Sequence, residues 1–172
     1  IAALAREVGG DRVAVTSIAK GMQDPHFIEA KPSYMERLRE ADLLVANGLS
    51  LEIGWLPNLI RGARNTRLTP GSAGYLELGS LIKPLDIPNA AVTRADGDVH
   101  PEGNPHFTLD PVILMQLADA LAHRLSELDP SNKDTYSQHA EAFRKRMQAK
   151  IGDWTEHIRK AGVKKVVTYH PS

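Results

Sequence analysis

The sequence contains no cysteine, and this absence excludes disulfide bonds, thiolate metal sites and cysteine nucleophiles together. It does not assign a cellular compartment, because a chain without cysteine is compatible with an oxidising compartment and with the cytosol. A site for a transition metal would therefore use nitrogen and oxygen ligands, and the seven histidines are its nitrogen donors.

Net charge is absent as well, since 21 Lys and Arg residues balance 21 Asp and Glu residues. A neutral chain is not expected to bind nucleic acid, which attracts proteins mainly through bulk positive charge. No apolar run approaches the ~20 residues that cross a bilayer. Hydrophobic residues nevertheless make up 42% of the chain, too many for a disordered protein. The chain begins at Ile1 without a signal segment, so we expect the original start to lie upstream.

Common catalytic motifs are missing too. The chain has no GxSxG elbow, no GxxxxGKS or GxxxxGKT phosphate loop, no GxGxxG and no HExxH. Asp24 and Glu29 lie near His26 in the sequence, but nothing pairs them for general acid–base chemistry. The residues therefore indicate no catalytic arrangement.

The apolar residues predict helices and strands in alternation, which indicates an α/β fold with a mostly parallel sheet. Strands are predicted over 12–18, 42–46 and 163–169, with a short strand or helix over 75–81. Helices are predicted over 1–8, over 32–41 with a capping box of Ser33 and Glu36, over 51–61 with a bend at Pro57, and over 112–128.

Two Asp-Pro pairs predict helix starts, with aspartate as the capping residue and proline at the first helical position. Asp110-Pro111 precedes the densely apolar helix over 112–128. Asp129-Pro130 precedes a stretch in which apolar residues recur every three or four positions from Tyr136 to Ile158. This spacing predicts one helix of about thirty residues, which Gly162 ends.

Three histidines lie where an α/β fold builds a ligand site, outside the carboxyl ends of its strands. His26 stands in the loop QDPHF, His106 in NPHF before a helix start, and His170 at the end of the last predicted strand. Three imidazoles supply three ligands of a tetrahedral zinc site that has room for one more. Their spacing carries no local signature, so surface histidines in proline-rich turns are the alternative.

The other four histidines are weaker candidates. His100 lies in the acidic loop DGDVHPE, where it either binds a metal loosely with Asp96, Asp98 and Glu102 or belongs to a solvated loop. Packed or solvated structural roles are expected for the remaining three, His123, His139 and His157.

Around these residues the sequence resembles the metal-binding substrate-binding proteins of bacterial ABC importers for zinc, manganese and iron. The similar segments are Gln23–Pro57, Gly103–Pro111, the helix start Asp129-Pro130 and Val166–Ser172. They follow the family's order and extend over essentially the whole chain.

The resemblance implies two α/β lobes joined by one long helix, with the metal in the cleft between them. It implies that His26 and His106 are ligands from the first lobe and His170 the first ligand from the second. A fourth ligand, Asp or Glu in the family, would lie beyond Ser172. The implied division is an N-terminal lobe over 1–129 without its first strand, a linking helix over 130–161 and the start of a truncated second lobe over 162–172.

The resemblance further implies a carrier rather than an enzyme. Such a protein captures a divalent metal in the periplasm or elsewhere outside the cytoplasmic membrane, with or without a membrane anchor, and delivers it to an ABC permease. Manganese-type members usually carry a carboxylate where His170 stands, so the third imidazole favours Zn²⁺ over Mn²⁺ or Fe²⁺.

Two alternatives and one further expectation accompany the carrier hypothesis. A zinc hydrolase would use three histidines and an activated water, and an adhesin would be another member of the same family. The edge of the truncated last strand is expected to be a site of association, as unpaired strands tend to be.

Overall fold

The structure is a computed structural model that describes residues 1–90 and 100–167. The chain divides into two units. The first comprises Ile1–Ala2 and Val15–Pro105, and the second comprises Ala3–Ala14 and His106–Ser172. The predicted division into 1–129, 130–161 and 162–172 stays a prediction.

The described residues form helices and strands in the mixed order of an α/β chain, which confirms the predicted fold class. In chain order they are α1 (Ala2–Gly9), α2 (Pro32–Glu40), β1 (Leu44–Ala46), α3 (Leu56–Ala63), β2 (Tyr75–Glu77), α4 (Pro111–Leu128) and α5 (Lys133–Ala161). No helix in this part of the chain is both long and apolar enough to span a membrane.

The first unit is built on the parallel pair of β1 and β2, in which Leu44 lies opposite Tyr75 and Ala46 opposite Glu77. Helices α2 and α3 pack on each other beside these strands. Burial of apolar side chains stabilises the arrangement. The core comprises Ile28, Tyr34, Leu38, Leu44, Ala46, Trp55, Leu56, Leu59, Ala63 and Leu68.

Prolines determine where α2 and α3 begin. Pro32 occupies the first turn of α2 after Lys31, where its missing N–H costs nothing. Ser33 consequently lies inside the helix, and the predicted capping box with Glu36 is wrong, because no side chain caps this end. Pro57 likewise lies in the first turn of α3 and starts the helix rather than bending it.

Two strand predictions differ from the structure. A 3₁₀ turn ends at Arg12 and the following residues 13–17 have no regular secondary structure, although Val13 is extended. Residues 163–167 are likewise irregular, and the rest of the predicted strand over 163–169 lies outside the described residues. A parallel strand is defined by hydrogen bonds to a neighbour remote in sequence, which an apolar alternation does not encode. In the described residues the sheet is formed by β1 and β2.

The second unit is centred on α4 and α5, which pack along each other. The Asp110 carboxylate caps α4, because its Oδ1 accepts the backbone N–H of Val112 at 2.7 Å and of Ile113 at 3.3 Å, as the sequence predicted. Helix α1 is joined to α5 by His139, whose Nδ1 donates to the carbonyl oxygen of Val8 over 3.0 Å. The buried residues of α4 are Leu117, Ala118, Leu121, Ala122 and Leu125.

Helix α5 confirms the prediction of a single long helix, with 29 residues. Its apolar stripe is buried at the start, where Tyr136 is 1% exposed, and open at the end, where Trp154 is 47% and Ile158 61% exposed. Gly162 ends the helix with a φ of 65°. In this left-handed conformation its N–H reaches the carbonyl oxygen of Ile158 at 3.2 Å.

The start of α5 is organised by Asp129, because Pro130–Asn132 form a 3₁₀ turn and the α-helix begins only at Lys133. The Asp129 carboxylate accepts hydrogen bonds from the Ser131 hydroxyl at 2.6 Å, the Tyr136 hydroxyl at 2.7 Å and the Asn132 amide at 2.7 Å. These hydrogen bonds lower the pKa of Asp129 to about 2. Burial, and then the adjacent Asp129, raise the pKa of Tyr136 to about 12.

We predict that Asp129→Asn lowers the free energy of unfolding near neutral pH and that this loss shrinks in acid. The folded-state pKa of Asp129 lies below its ordinary value of 3.8. The stabilisation is therefore complete above that value and disappears as the pH falls towards about 2. Urea unfolding of both proteins between about pH 6 and about pH 2.5 measures the difference.

Asp153→Asn is the control, because it removes one carboxylate from within α5, where Asp153 lies 3.6 Å from the Lys150 amine. A constant difference between wild type and Asp129→Asn over this pH range would contradict the prediction.

Candidate metal centre

The loop that carries His26 is anchored in the core of the first unit. The indole N–H of the buried Trp55 donates to the carbonyl oxygen of Pro25 over 2.8 Å. Ile28, two residues after His26, is buried in the same core. The backbone N–H of Phe27 donates to the Asp24 carbonyl oxygen at 3.1 Å and closes the turn. The backbone of His26 is therefore fixed both before it, at Pro25, and after it, at Ile28.

The His26 ring is oriented by the carboxylate of Asp24. The ring Nδ1 lies 2.7 Å from Asp24 Oδ1, which also accepts the backbone N–H of His26 at 2.9 Å. The His26 side chain is only 13% exposed. Since an ionised carboxylate only accepts hydrogen bonds, it places the proton of the neutral imidazole on Nδ1 and leaves the lone pair on Nε2. A carboxylate on one ring nitrogen is the usual partner of a histidine that ligates a metal through the other.

The structure brings His100 to His26. Their Nε2 atoms lie 3.0 Å apart, and the ring centroids are separated by 5.1 Å. The sequence offered His100 either as a loose metal ligand of an acidic loop or as part of a solvated loop, and of that loop Asp96 and Asp98 lie outside the described residues. No local signal reveals the pairing, because 74 positions separate the two histidines.

Residues 100–104 are held by hydrogen bonds to two other loops of the first unit. The Ser50 hydroxyl donates to Glu102 Oε2 at 3.1 Å, and the backbone N–H of Asn104 donates to the Leu85 carbonyl oxygen at 2.8 Å. Gly103 has a φ of 106°, and a Cβ there would lie 2.7 Å from the Leu85 carbonyl oxygen. Glycine is therefore required for this approach.

Asn47 follows β1 directly and joins these loops to the sheet. It is 3% exposed, and its side-chain amide donates to the carbonyl oxygen of Pro105 at 2.9 Å. Its own carbonyl oxygen accepts the backbone N–H of Gly79, just beyond β2, at 2.7 Å. Asn47 therefore ties the end of β1 to the last residue of the first unit, Pro105.

The turn after β1 is closed by the carboxylate of Glu52. Its two oxygens accept the backbone N–H groups of Asn47 at 2.8 Å and Gly48 at 3.1 Å. Burial raises the pKa of Glu52, and these hydrogen bonds act in the opposite direction. The turn lies at the carboxyl end of a parallel strand, the edge at which ligands bind in open α/β sheets.

The three histidines predicted as ligands are not assembled by the described residues. His26 lies in the first unit, His106 belongs to the second, and His170 lies outside the described residues. His106 precedes a 3₁₀ turn over Phe107–Leu109. The backbone N–H of Leu109 donates to the carbonyl oxygen of His106 at 3.1 Å. In the described parts of the chain no three His, Asp or Glu side chains form a group able to hold a metal ion. The three-histidine site stays a prediction.

The remaining histidines occupy structural or solvated positions, as expected. His139 bonds to the backbone of α1, and His157 Nδ1 donates to the Asp153 carbonyl oxygen in its own helix at 2.7 Å. The His123 side chain is 76% exposed and lies 3.7 Å from Glu127.

We predict that Asn47→Ala lowers the free energy of unfolding by about 1–3 kcal/mol, because the carbonyl group of Pro105 loses its donor inside the protein. Asn58→Ala is the matched control, since Asn58 is exposed on α3. It should change stability by no more than about 0.5 kcal/mol. Denaturant unfolding measures both variants, and equal effects would contradict the role assigned to Asn47.

Comparison with known proteins identifies the class: the chain is similar to metal-binding, substrate-binding components of ABC importers. It belongs to the family described as zinc-uptake complex component A, periplasmic, which it matches over residues 1–172. The family contains solute-binding proteins rather than enzymes, so the predicted resemblance and the prediction of a non-enzymatic class are confirmed.

The related proteins are named for different metals. The metal ABC transporter substrate-binding lipoprotein ScbA of Streptococcus cristatus is 30% identical over 159 residues, which are 87% of this chain and 46% of ScbA. The manganese ABC transporter lipoprotein ScaA of Streptococcus gordonii shows the same identity and coverage. The iron ABC transporter lipoprotein MtsA of Streptococcus pyogenes is 27% identical over 146 residues, 83% of this chain and 44% of MtsA. The chain thus spans about half the length of the curated relatives it matches.

Solved structures agree with the fold. A zinc-bound deletion mutant of ZnuA superposes with a TM-score of 0.69 at 29% identity, over 85% of this chain and 50% of that one. A manganese-bound periplasmic protein from Candidatus Liberibacter asiaticus shares the fold with a TM-score of 0.73 at 23% identity, over 92% of this chain and 54% of that one. These comparisons do not support the hydrolase alternative or a role in cell adhesion.

Proposed function

We propose that the whole protein captures a divalent transition metal outside the cytoplasmic membrane and delivers it to a membrane ABC permease for import. The observation that carries the proposal is the His26 imidazole, whose Nδ1 is held by Asp24 so that Nε2 keeps its lone pair. Family membership and relatives named as metal-transporter lipoproteins support the same function. The lipoprotein names also support an extracytoplasmic location with a membrane anchor.

We propose His26, His106 and His170 as ligands of the transported metal, with a carboxylate from beyond Ser172 as the fourth. Each proposed residue lies in a motif that resembles the family: QDPHF, NPHF and TYHPS. Four protein ligands would leave no coordination position for an activated water, which suits transport rather than hydrolysis.

We propose Zn²⁺ as the transported metal because three borderline imidazole nitrogens and one carboxylate oxygen form a ligand set that suits zinc. Manganese prefers a site richer in oxygen ligands. The relatives named for manganese and iron make Mn²⁺ and Fe²⁺ the competing cargoes. Raw affinity rises from Mn²⁺ to Zn²⁺ in most sites, so the metal that co-purifies with the whole protein is the relevant readout.

Alanine substitution of each proposed ligand tests the site. His26→Ala, His106→Ala and His170→Ala should each weaken Zn²⁺ binding by at least about tenfold, because each removes one metal–nitrogen bond. Titration calorimetry of the whole protein measures the three affinities.

His157→Ala is the control for the loss of one imidazole, since His157 bonds within its own helix and is expected to leave affinity unchanged. The proposal fails if wild type binds no metal more tightly than about 1 µM, or if all three alanine variants keep wild-type affinity.

Asp24→Asn tests whether the carboxylate orients His26. Without the negative charge, the preference for a proton on Nδ1 weakens, and metal affinity should fall by about 10- to 100-fold. Glu29→Gln is the control, because Glu29 lies in the same loop but is 80% exposed beside Lys31. Equal affinities of Asp24→Asn and wild type would show that His26 needs no orienting carboxylate.

A further inference from the structure

Both ring nitrogens of His26 are engaged within the first unit. Nδ1 faces the Asp24 carboxylate at 2.7 Å, and Nε2 faces Nε2 of His100 at 3.0 Å. Because the carboxylate requires a proton on Nδ1, Nε2 of the neutral His26 ring carries only a lone pair. Two neutral imidazoles share one N–H···N hydrogen bond, so His100 is the donor and His26 the acceptor.

That hydrogen bond uses the same lone pair that a metal ion would need. An unprotonated ring nitrogen has one lone pair in the plane of the ring, so Nε2 of His26 cannot accept a hydrogen bond from His100 and ligate a metal at the same time. We propose that His100 holds the metal-binding nitrogen of His26 in the metal-free protein and that the arriving metal displaces it. The inference rests on the proposed function, because His100 competes with a metal only if His26 is a ligand.

The segment that follows His100 is positioned by hydrogen bonds of its own residues. The segment after His100 is held by a side-chain hydrogen bond from the Ser50 hydroxyl to Glu102 and by the backbone N–H of Asn104, which donates to the Leu85 carbonyl oxygen. Neither bond involves the imidazole of His100. A change of the His100 side-chain rotamer would open Nε2 of His26 and leave both of these hydrogen bonds intact.

The first experiment compares Zn²⁺ binding by the whole wild-type protein and by His100→Ala, using calorimetry for affinity and rapid mixing for the association rate. The variant should bind about two- to tenfold more tightly, the ratio that follows from removing one net hydrogen bond of the metal-free state. His123→Ala removes an exposed imidazole from α4 and should behave like wild type.

The second experiment observes the hydrogen bond without metal, by proton–nitrogen NMR of the histidine rings. Wild type should show His26 protonated at Nδ1 with a hydrogen-bonded Nε2, and in His100→Ala the Nε2 resonance should shift while Nδ1 keeps its proton. His100→Gln, whose amide also donates, should restore part of the shift and return the affinity towards wild type.

The outcomes separate the two hypotheses. Weaker metal binding by His100→Ala would make His100 a ligand and overturn the proposal that the metal displaces it. Unchanged metal binding would overturn that proposal as well. A proton on Nε2 of His26 in the metal-free protein would overturn it irrespective of any metal. If wild type binds no metal but the NMR signature is present, the proposed function has failed, and displacement fails with it although the hydrogen bond exists.

Discussion

The loops of the first unit depend on one buried amide, the side chain of Asn47. It lies at the end of β1, where its amide reaches the carbonyl oxygen of Pro105 and its backbone carbonyl accepts the N–H of Gly79. Three segments far apart in the chain thus meet at one residue that is 3% exposed. A buried polar group is tolerated only when its hydrogen bonds are made, so these segments hold one another in place.

A second polar interaction, between Asp24 and His26, determines which ring nitrogen of His26 carries the proton. A free neutral imidazole exchanges its proton between two nitrogens, and either can then be the ligand. The carboxylate of Asp24 removes this choice for His26 by accepting from Nδ1. The loop that presents both side chains is itself anchored by the buried Trp55. Orientation of the His26 ring therefore begins in the apolar core, at the buried Trp55.

Helices could be predicted well because their signals are local. The Asp110-Pro111 start, the spacing of apolar residues in α5 and the stop at Gly162 all agree with the structure. Helix α2 begins at Pro32 as predicted, whereas the start of α3 moves from position 51 to Leu56, because Pro57 occupies the first turn, a position that its fixed φ favours. Strands over 12–18 and 163–169 were predicted from local sequence, whereas strand pairing depends on neighbours that are remote in sequence.

The same division applies to the candidate site. Composition determined which donors are available, since a chain without cysteine can offer a metal only imidazole and oxygen, and the proline-rich loop contexts singled out His26. Only the tertiary structure decided that Nδ1 of His26 faces Asp24 and that Nε2 faces His100. Residue type and local spacing are written in the sequence, but a contact across 74 positions arises when the folded core brings two loops together.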